Sequence, residues 1–439
     1  MERQKLEALN QFVDQAWEAA HRLGLEPVDV EFEIVPATAI FELASYGVPG
    51  HWHHWTYGRE YWLIKQRMEE GAGRLYELVV NTDPARAYLL ESNSIAAQKL
   101  VIAHVLGHAD LFRNHEWFLN TPKDMDRSMA AAQERFDEYA AAVGTDRLET
   151  CLDRALSLRD QVAEDPPLPE GPDRPADPYA DLFRPREAGP VRRRTAPRYR
   201  LPTGDVLGFL ARHSPVLEDW ERDVLETVRR EALYFAPQRV TKLVHEGYAT
   251  WVHRRLLDDL ALSQAEALEA TRIHAQVVAP HPLTVNPYRL GFQLLDYLAE
   301  RHGFGGMRAI ALQETDASLV RNWLDADAVR YCQLFRYEWK AAEHVAAGHR
   351  APTWDAVVQD AEVERLRTLL ANRLAYRGPE ILVTAVDGAG RLILRHVPDE
   401  WPLDEAWARA TLQNVATLWG APAVLEREGA KPLTAQPAS

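Results

Sequence analysis

The chain has 439 residues, 46% of them hydrophobic, with 13 Trp and 15 Tyr, enough apolar mass for two or three domains or one large core with an appendage. Its formal charge of −15 disfavours general nucleic-acid binding, because a phosphate backbone wants a basic face. Its two cysteines, Cys151 and Cys332, can neither frame a disulfide scaffold nor build a thiolate zinc site alone.

Residues 5–23 read as an amphipathic helix, with Leu6, Leu9, Phe12, Val13 and Trp17 at helical spacing. This start is not an export signal, and no run approaches the ~18–20 apolar residues of a membrane span. A cytoplasmic place with reduced thiols is therefore expected. Residues 28–35 alternate as a half-buried strand: Val28, Val30, Phe32 and Ile34 against Asp29, Glu31 and Glu33. In the aromatic stretch from His51 to Gly58, strand geometry puts His53 and Trp55 on one face and His54 on the other, as core or groove lining. Residues 75–81 read as a second strand, ended by Asp83-Pro84.

A helix is expected over 95–118, and 124–162 reads as helical and polar. Between Pro166 and Pro202 the chain holds ten of its 27 prolines, so 164–203 reads as an extended connector. Its arginines, Arg184 to Arg200, form either a partner-binding arm or a solvated loop against an acidic surface. Helices follow at 205–231, 239–260 and 286–300. Near the C-terminus, Ile381–Val386 and Leu392–Arg395 flank Asp387-Gly388, a hairpin signal. A helix at 403–418 and an edge strand at 423–426 complete a small α+β module.

Two segments look like halves of one metal site. His104 and His108 stand one helical turn apart, so both imidazoles leave one face of their helix. Glu246 begins a Glu-Gly-Tyr-Ala helix start that could bring a carboxylate to the same ion, and His253 shares its face. The usual metallopeptidase pattern has its glutamate base directly after the first histidine; here that residue is Val105. Glu77, on an expected buried strand, could supply the base from another element, though an ion pair is the plainer reading. For the two histidines the plainer reading is a core pair bonded to carbonyls or carboxylates; for Glu246 it is a helix cap. His115 reads as a surface histidine, His245 as facing another partner, and Asp110 as the best candidate for orienting a histidine.

Across nearly its whole length the chain resembles the stage V sporulation protein R (SpoVR) family. The matching segments include Ala44-Ser45-Tyr46-Gly47-Val48-Pro49, His54-Trp55-Thr56-Tyr57-Gly58 and Ala103-His104-Val105-Leu106-Gly107-His108-Ala109-Asp110. Others are Glu246-Gly247-Tyr248-Ala249 and Asn286-Pro287-Tyr288-Arg289-Leu290-Gly291. The resemblance implies a cytoplasmic bacterial protein linked to spore cortex formation or, in non-sporulating bacteria, to a PrkA-type kinase and its partner. The family has Asn where this chain has His245, and Trp where it has Tyr248. Glu246 also resembles the third zinc ligand of gluzincin-type metallopeptidases, which stands in a Glu-Gly-Trp-Ala helix start.

The expected architecture is α+β and mostly helical: a gluzincin-like helical core with a peripheral β element and a small C-terminal module. Its parts are 1–163, the connector 164–203, 204–375, the module 376–430 and a tail 431–439. The expected activity is that of a zinc-dependent hydrolase acting on a peptide or amide. His104, His108 and Glu246 would be its ligands, and His253 or Glu77 would handle the proton. The alternative is a non-catalytic scaffold or regulatory partner in the PrkA-type kinase pathway, with a degenerate metal site.

Overall fold

Apolar residues at helical spacing along the first segment become a buried stripe. Leu9, Phe12, Ala16, Ala19 and Ala20 of α1 (Glu2–Leu23) are covered, while Leu6 is 54% exposed. The computed structural model describes residues 2–69, 77–163, 200–280, 284–334, 336–346, 349–360, 362–375, 378–399 and 401–438. Most of the connector expected at 164–203 lies outside them.

After α1 come β1 (Val30–Val35), α2 (Ala37–Tyr46), α3 (Trp55–Glu69), β2 (Glu77–Val80), β3 (Ala85–Leu90) and α4 (Ile95–Asn114). Next are α5 (Met125–Val143), α6 (Thr145–Leu156), α7 (Val206–His213), α8 (Asp219–Val240), α9 (Lys242–Asp259) and α10 (Gln264–Val277). Then follow α11 (Pro287–Ala311), α12 (Asp316–Trp323), α13 (Ala326–Tyr331), β4 (Arg336–Ala346), β5 (His349–Asp360) and α14 (Val363–Ala375). The chain closes with β6 (Ile381–Val386), β7 (Leu392–His396), α15 (Glu405–Trp419), β8 (Ala423–Glu426) and β9 (Leu433–Ala435). The architecture is α+β and mostly helical.

Two compact units form: Met1–Gln133 with Tyr234–Tyr376, and Glu134–Leu233 with Arg377–Ser439. The expectation differs here, because it put 134–163 and 204–233 in the main domain. In the second unit α6 buries Leu148, Cys151, Leu152 and Ala155. Gln161 donates to the Pro379 carbonyl (3.0 Å), and Thr203 bridges to Val383 of β6. The sheet there runs β6-β7-β8-β9, so the strand at 423–426 is interior, not an edge. The edge is β9, inside the segment read as a tail, where Leu433 is buried.

In the first unit the sheet order is β1-β3-β2, with β3 parallel to β1 and antiparallel to β2. The middle strand follows directly on Asp83-Pro84, which reads as a strand end and hides it. The aromatic stretch is not a strand: Trp55 opens α3, His51 and His54 are buried, and His53 is exposed.

The helix α4 is the spine of this unit. Ser94 caps it by accepting from the Ala97 amide (3.1 Å), and every residue from Leu100 to Phe112 is buried. Small residues let its neighbours close in. A Cβ on Gly107 would lie 2.7 Å from Cα of Ala249 on α9, and one on Gly247 would lie 2.3 Å from the carbonyl carbon of Gly291 on α11. Gly107 and Gly247 flank the site residues, so these close crossings bring α4, α9 and α11 together there.

Candidate metal centre

The 3.6-residue period sends His104 and His108 to the same side of α4, toward α9. There Glu246 meets both: one carboxylate oxygen is 3.7 Å from Nε2 of His104 and 3.7 Å from Nε2 of His108. These are electrostatic contacts, too long for hydrogen bonds. The ligand atoms of the three residues lie within 4.8 Å of one another. Nε2 of His104 is buried and has no hydrogen-bond partner. Glu77, the first residue of β2, brings a second carboxylate to 3.9 Å from the same nitrogen.

Tyr288, on the first turn of α11, lies near enough to Glu246 to help hold its carboxylate ionised, and its ring stacks on His104 at 6.3 Å. Asn286 caps that helix by accepting from the Tyr288 amide (3.0 Å), and Pro287 follows as its first residue. The sequence offers Tyr288 only as part of Asn-Pro-Tyr-Arg-Leu-Gly, with nothing to mark it as a site residue.

The two carboxyls are pushed apart. Burial raises the Glu77 pKa, Glu246 adds to this, and His104 only partly opposes it. Burial also acts to raise Glu246, but His104, His108 and Tyr288 outweigh it and hold Glu246 below the usual carboxylate range. Glu77 is thus the more basic carboxylate and Glu246 the less basic, the division that acid–base chemistry needs. Burial, then His104, lowers His108 to about 3, leaving its lone pair free of protons at neutral pH.

Behind the front row stand more histidines. Nδ1 of His104 is 3.0 Å from Nδ1 of His253, and Nδ1 of His108 is 2.9 Å from Nδ1 of His245. His253 therefore backs His104 rather than Glu246, and His245 faces the site after all. Asp110 orients no histidine: it accepts from Tyr248 (2.6 Å), Arg308 (2.7 Å) and the Glu26 amide (2.8 Å). His115 is buried, not on the surface. Its Nε2 faces the Glu314 carbonyl at 3.1 Å, and its Nδ1 accepts from the Trp117 amide at 3.2 Å, so both nitrogens are used.

Burial and neighbouring imidazoles also hold His245 and His253 well below 6.5. The unfolded chain would take up protons below 6.5 that these folded histidines and His108 refuse, so stability is complete above that pH and falls as pH drops. The slope is about 1.4 kcal/mol per pH unit for each histidine. Urea unfolding in chelator at pH 7 and pH 5 should show this loss, and His253→Gln should remove one histidine's share. Equal pH dependence in the two proteins would count against neutral burial of His253.

Two family models account for most of the chain. The one described as SpoVR like protein matches residues 3–371, and the one described as SpoVR-like C-terminal domain matches 379–430. The chain belongs to the SpoVR family. The "Uncharacterized protein YcgB" of Escherichia coli (strain K12) is similar to this SpoVR chain, 25% identical over 469 residues covering 93% of this chain and 89% of that protein. No solved structure matches it. All the candidate metal-facing residues of this SpoVR chain fall inside the longer match. Among the described residues, no helix is long and apolar enough to cross a membrane.

Proposed function

We propose that the chain is a metal-dependent hydrolase of gluzincin-like design, holding zinc on His104, His108 and Glu246 and cleaving a peptide or amide bond. The observation that carries this reading is the convergence of these ligand atoms within 4.8 Å around a buried His104 nitrogen that has no hydrogen-bond partner. Tetrahedral zinc with ~2.1 Å bonds separates its ligand atoms by roughly 3.4 Å, close to the 3.7 Å of both His–Glu pairs. Three protein ligands leave one position open, the pattern of catalytic rather than structural zinc.

A bound zinc ion would supply Lewis-acid polarisation of the substrate carbonyl and a lowered pKa for water. The chain's own residues do the rest. Val105 is fully buried in the core, so no base can act from the usual position. Glu77 replaces it from the sheet side, taking a proton from the attacking water and delivering it to the leaving nitrogen. Burial raises its pKa, which makes its carboxylate the stronger proton acceptor in the first transfer. Tyr288 helps keep the Glu246 carboxylate ionised, and His253 and His245 orient the two imidazoles. A cytoplasmic setting beside a PrkA-type kinase, in spore cortex formation or stress response, guides the first choice of amide substrates.

The test is hydrolysis of a peptide and N-acyl amide panel by the zinc-loaded chain. The Glu77→Gln variant should keep its zinc and lose on the order of a hundredfold or more in rate, the usual contribution of a general base. Equal rates for variant and wild type would remove Glu77 from the mechanism. No turnover of any substrate by a loaded wild type would favour the scaffold reading.

A further inference from the structure

The two metal-facing histidines have different backing. Behind His108 the line stops: Nε2 of His245 is buried without a hydrogen-bond partner, beside the rings of Phe112 and Phe118. Behind His104 the line continues, because Nε2 of His253 is 2.9 Å from Nδ1 of His274 on α10. His274 is only partly buried, so three imidazoles in a row lead from the site to the edge of the fold.

Each contact between neutral imidazoles holds one proton, so the row has a direction. Suppose protons point inward. His274 then donates to His253, His253 donates to Nδ1 of His104, and the His104 proton sits on Nε2. That nitrogen is buried, with carboxylate oxygens no nearer than 3.7 Å and 3.9 Å, so its N–H would make no hydrogen bond. Suppose instead they point outward. His104 then donates from Nδ1, His253 donates from Nε2 to His274, and His274 carries its proton on Nε2. Both ring-to-ring contacts are made and no buried N–H points into the site, because Nε2 of His104 is a bare lone pair. The outward setting needs a neutral His274. Burial, with Arg254 and His104 adding to it, holds His274 below its ordinary range against the opposing pull of Asp258 and Asp296.

We propose that His253 and His274 form a relay that locks the His104 proton on Nδ1 and keeps Nε2 open for a divalent cation. His274, at the fold's edge, is the positioning residue that sets how tightly the centre holds that ion. This rests on the metal reading above, and it extends that reading from the ligands to a residue two contacts away. A partner that orients a metal-bound histidine normally changes affinity 10–100-fold, and here the acceptor is itself oriented by a further histidine.

The test uses the full chain with zinc alone. Zinc affinity is measured by competition with a chromophoric chelator for wild type, His274→Leu and His274→Asn. Nitrogen NMR of histidine-labelled wild type, with and without zinc, reports which ring nitrogens carry protons. The leucine variant should bind zinc about tenfold more weakly, the lower end of the range for orienting partners. Asparagine, which keeps an acceptor oxygen near the place of Nδ1, should restore most of the loss. In the loaded wild type His253 should carry its proton on Nε2. Zinc binding by wild type with no weakening in the leucine variant would overturn the relay and leave the centre standing, as would a proton on Nδ1 of loaded His253. A wild type that binds no zinc would overturn both. Should the leucine variant not fold, the proton positions in wild type decide alone.

Discussion

Replacing His108 by alanine should weaken zinc binding on the order of a thousandfold, about a third of the ~10–16 kcal/mol that a structural zinc site supplies. The same holds for His104→Ala and for Glu246→Gln, because each removes one of the three converging ligand atoms. The variants should stay folded. His108 and Glu246 keep 11% and 18% side-chain exposure. Glu246→Gln is the sharpest of the set. It keeps shape and one oxygen but loses the charge that His104, His108 and Tyr288 stabilise. Calorimetric titration with zinc reads the effect, and Glu77→Gln serves as the control that keeps its metal. Equal affinity in wild type and all three ligand variants would mean that zinc sits elsewhere.

The second large effect is on stability. Asp110→Ala should cost about 3–5 kcal/mol, the penalty for stranding one partner of a buried ion pair. Asp110 is fully buried on α4 and receives the guanidinium of Arg308 from α11 at 2.7 Å and 3.0 Å, and the hydroxyl of Tyr248 from α9 at 2.6 Å. The three helices that carry the metal-facing histidines, Glu246 and Tyr288 are thus tied at one carboxylate. Removing it leaves Arg308, only 19% exposed, without its counter-charge. Guanidinium unfolding measures the loss. Adding Arg308→Met should recover a large part of it, because a well-packed apolar replacement removes the stranded charge. A loss under about 1 kcal/mol, the worth of a surface pair, would contradict this role.

The helices were legible wherever periodicity was strong. The spacing along α1, α4, α9 and α15 is enough to place them, and Asp387-Gly388 marks the β6-β7 turn, where Asp387 accepts from the amides of Ala389 and Arg391 (both 2.9 Å). The middle strand β3 was not, because Asp83-Pro84 reads as a terminator although the chain continues straight into a strand. Grouping into units was not legible either. The apolar face of α6 looks the same in sequence whichever neighbour covers it.

For the site, His104, His108 and Glu246 could be named because a helical turn and a Glu-Gly-aromatic start are local patterns. Their meeting depends on Gly107, Gly247 and Gly291, whose value is the absence of a side chain between helices. His245 and Asp110 exchanged their expected roles. Helical phase says which way a residue leaves its own helix but not what the opposite helix presents. His274 and Tyr288 carry no local signal, since each gains its place only from the packing of α10 and α11.

The most direct test of the central claim is anomalous diffraction at the zinc edge from crystals of the zinc-loaded full chain. One peak is expected, about 2.0–2.2 Å from Nε2 of His104, Nε2 of His108 and a Glu246 oxygen, with Glu77 and Tyr288 outside bonding distance of the ion. A zinc-soaked crystal with no peak there, or with ions only at surface carboxylates, would contradict it and leave the histidines as polar groups of a packed core.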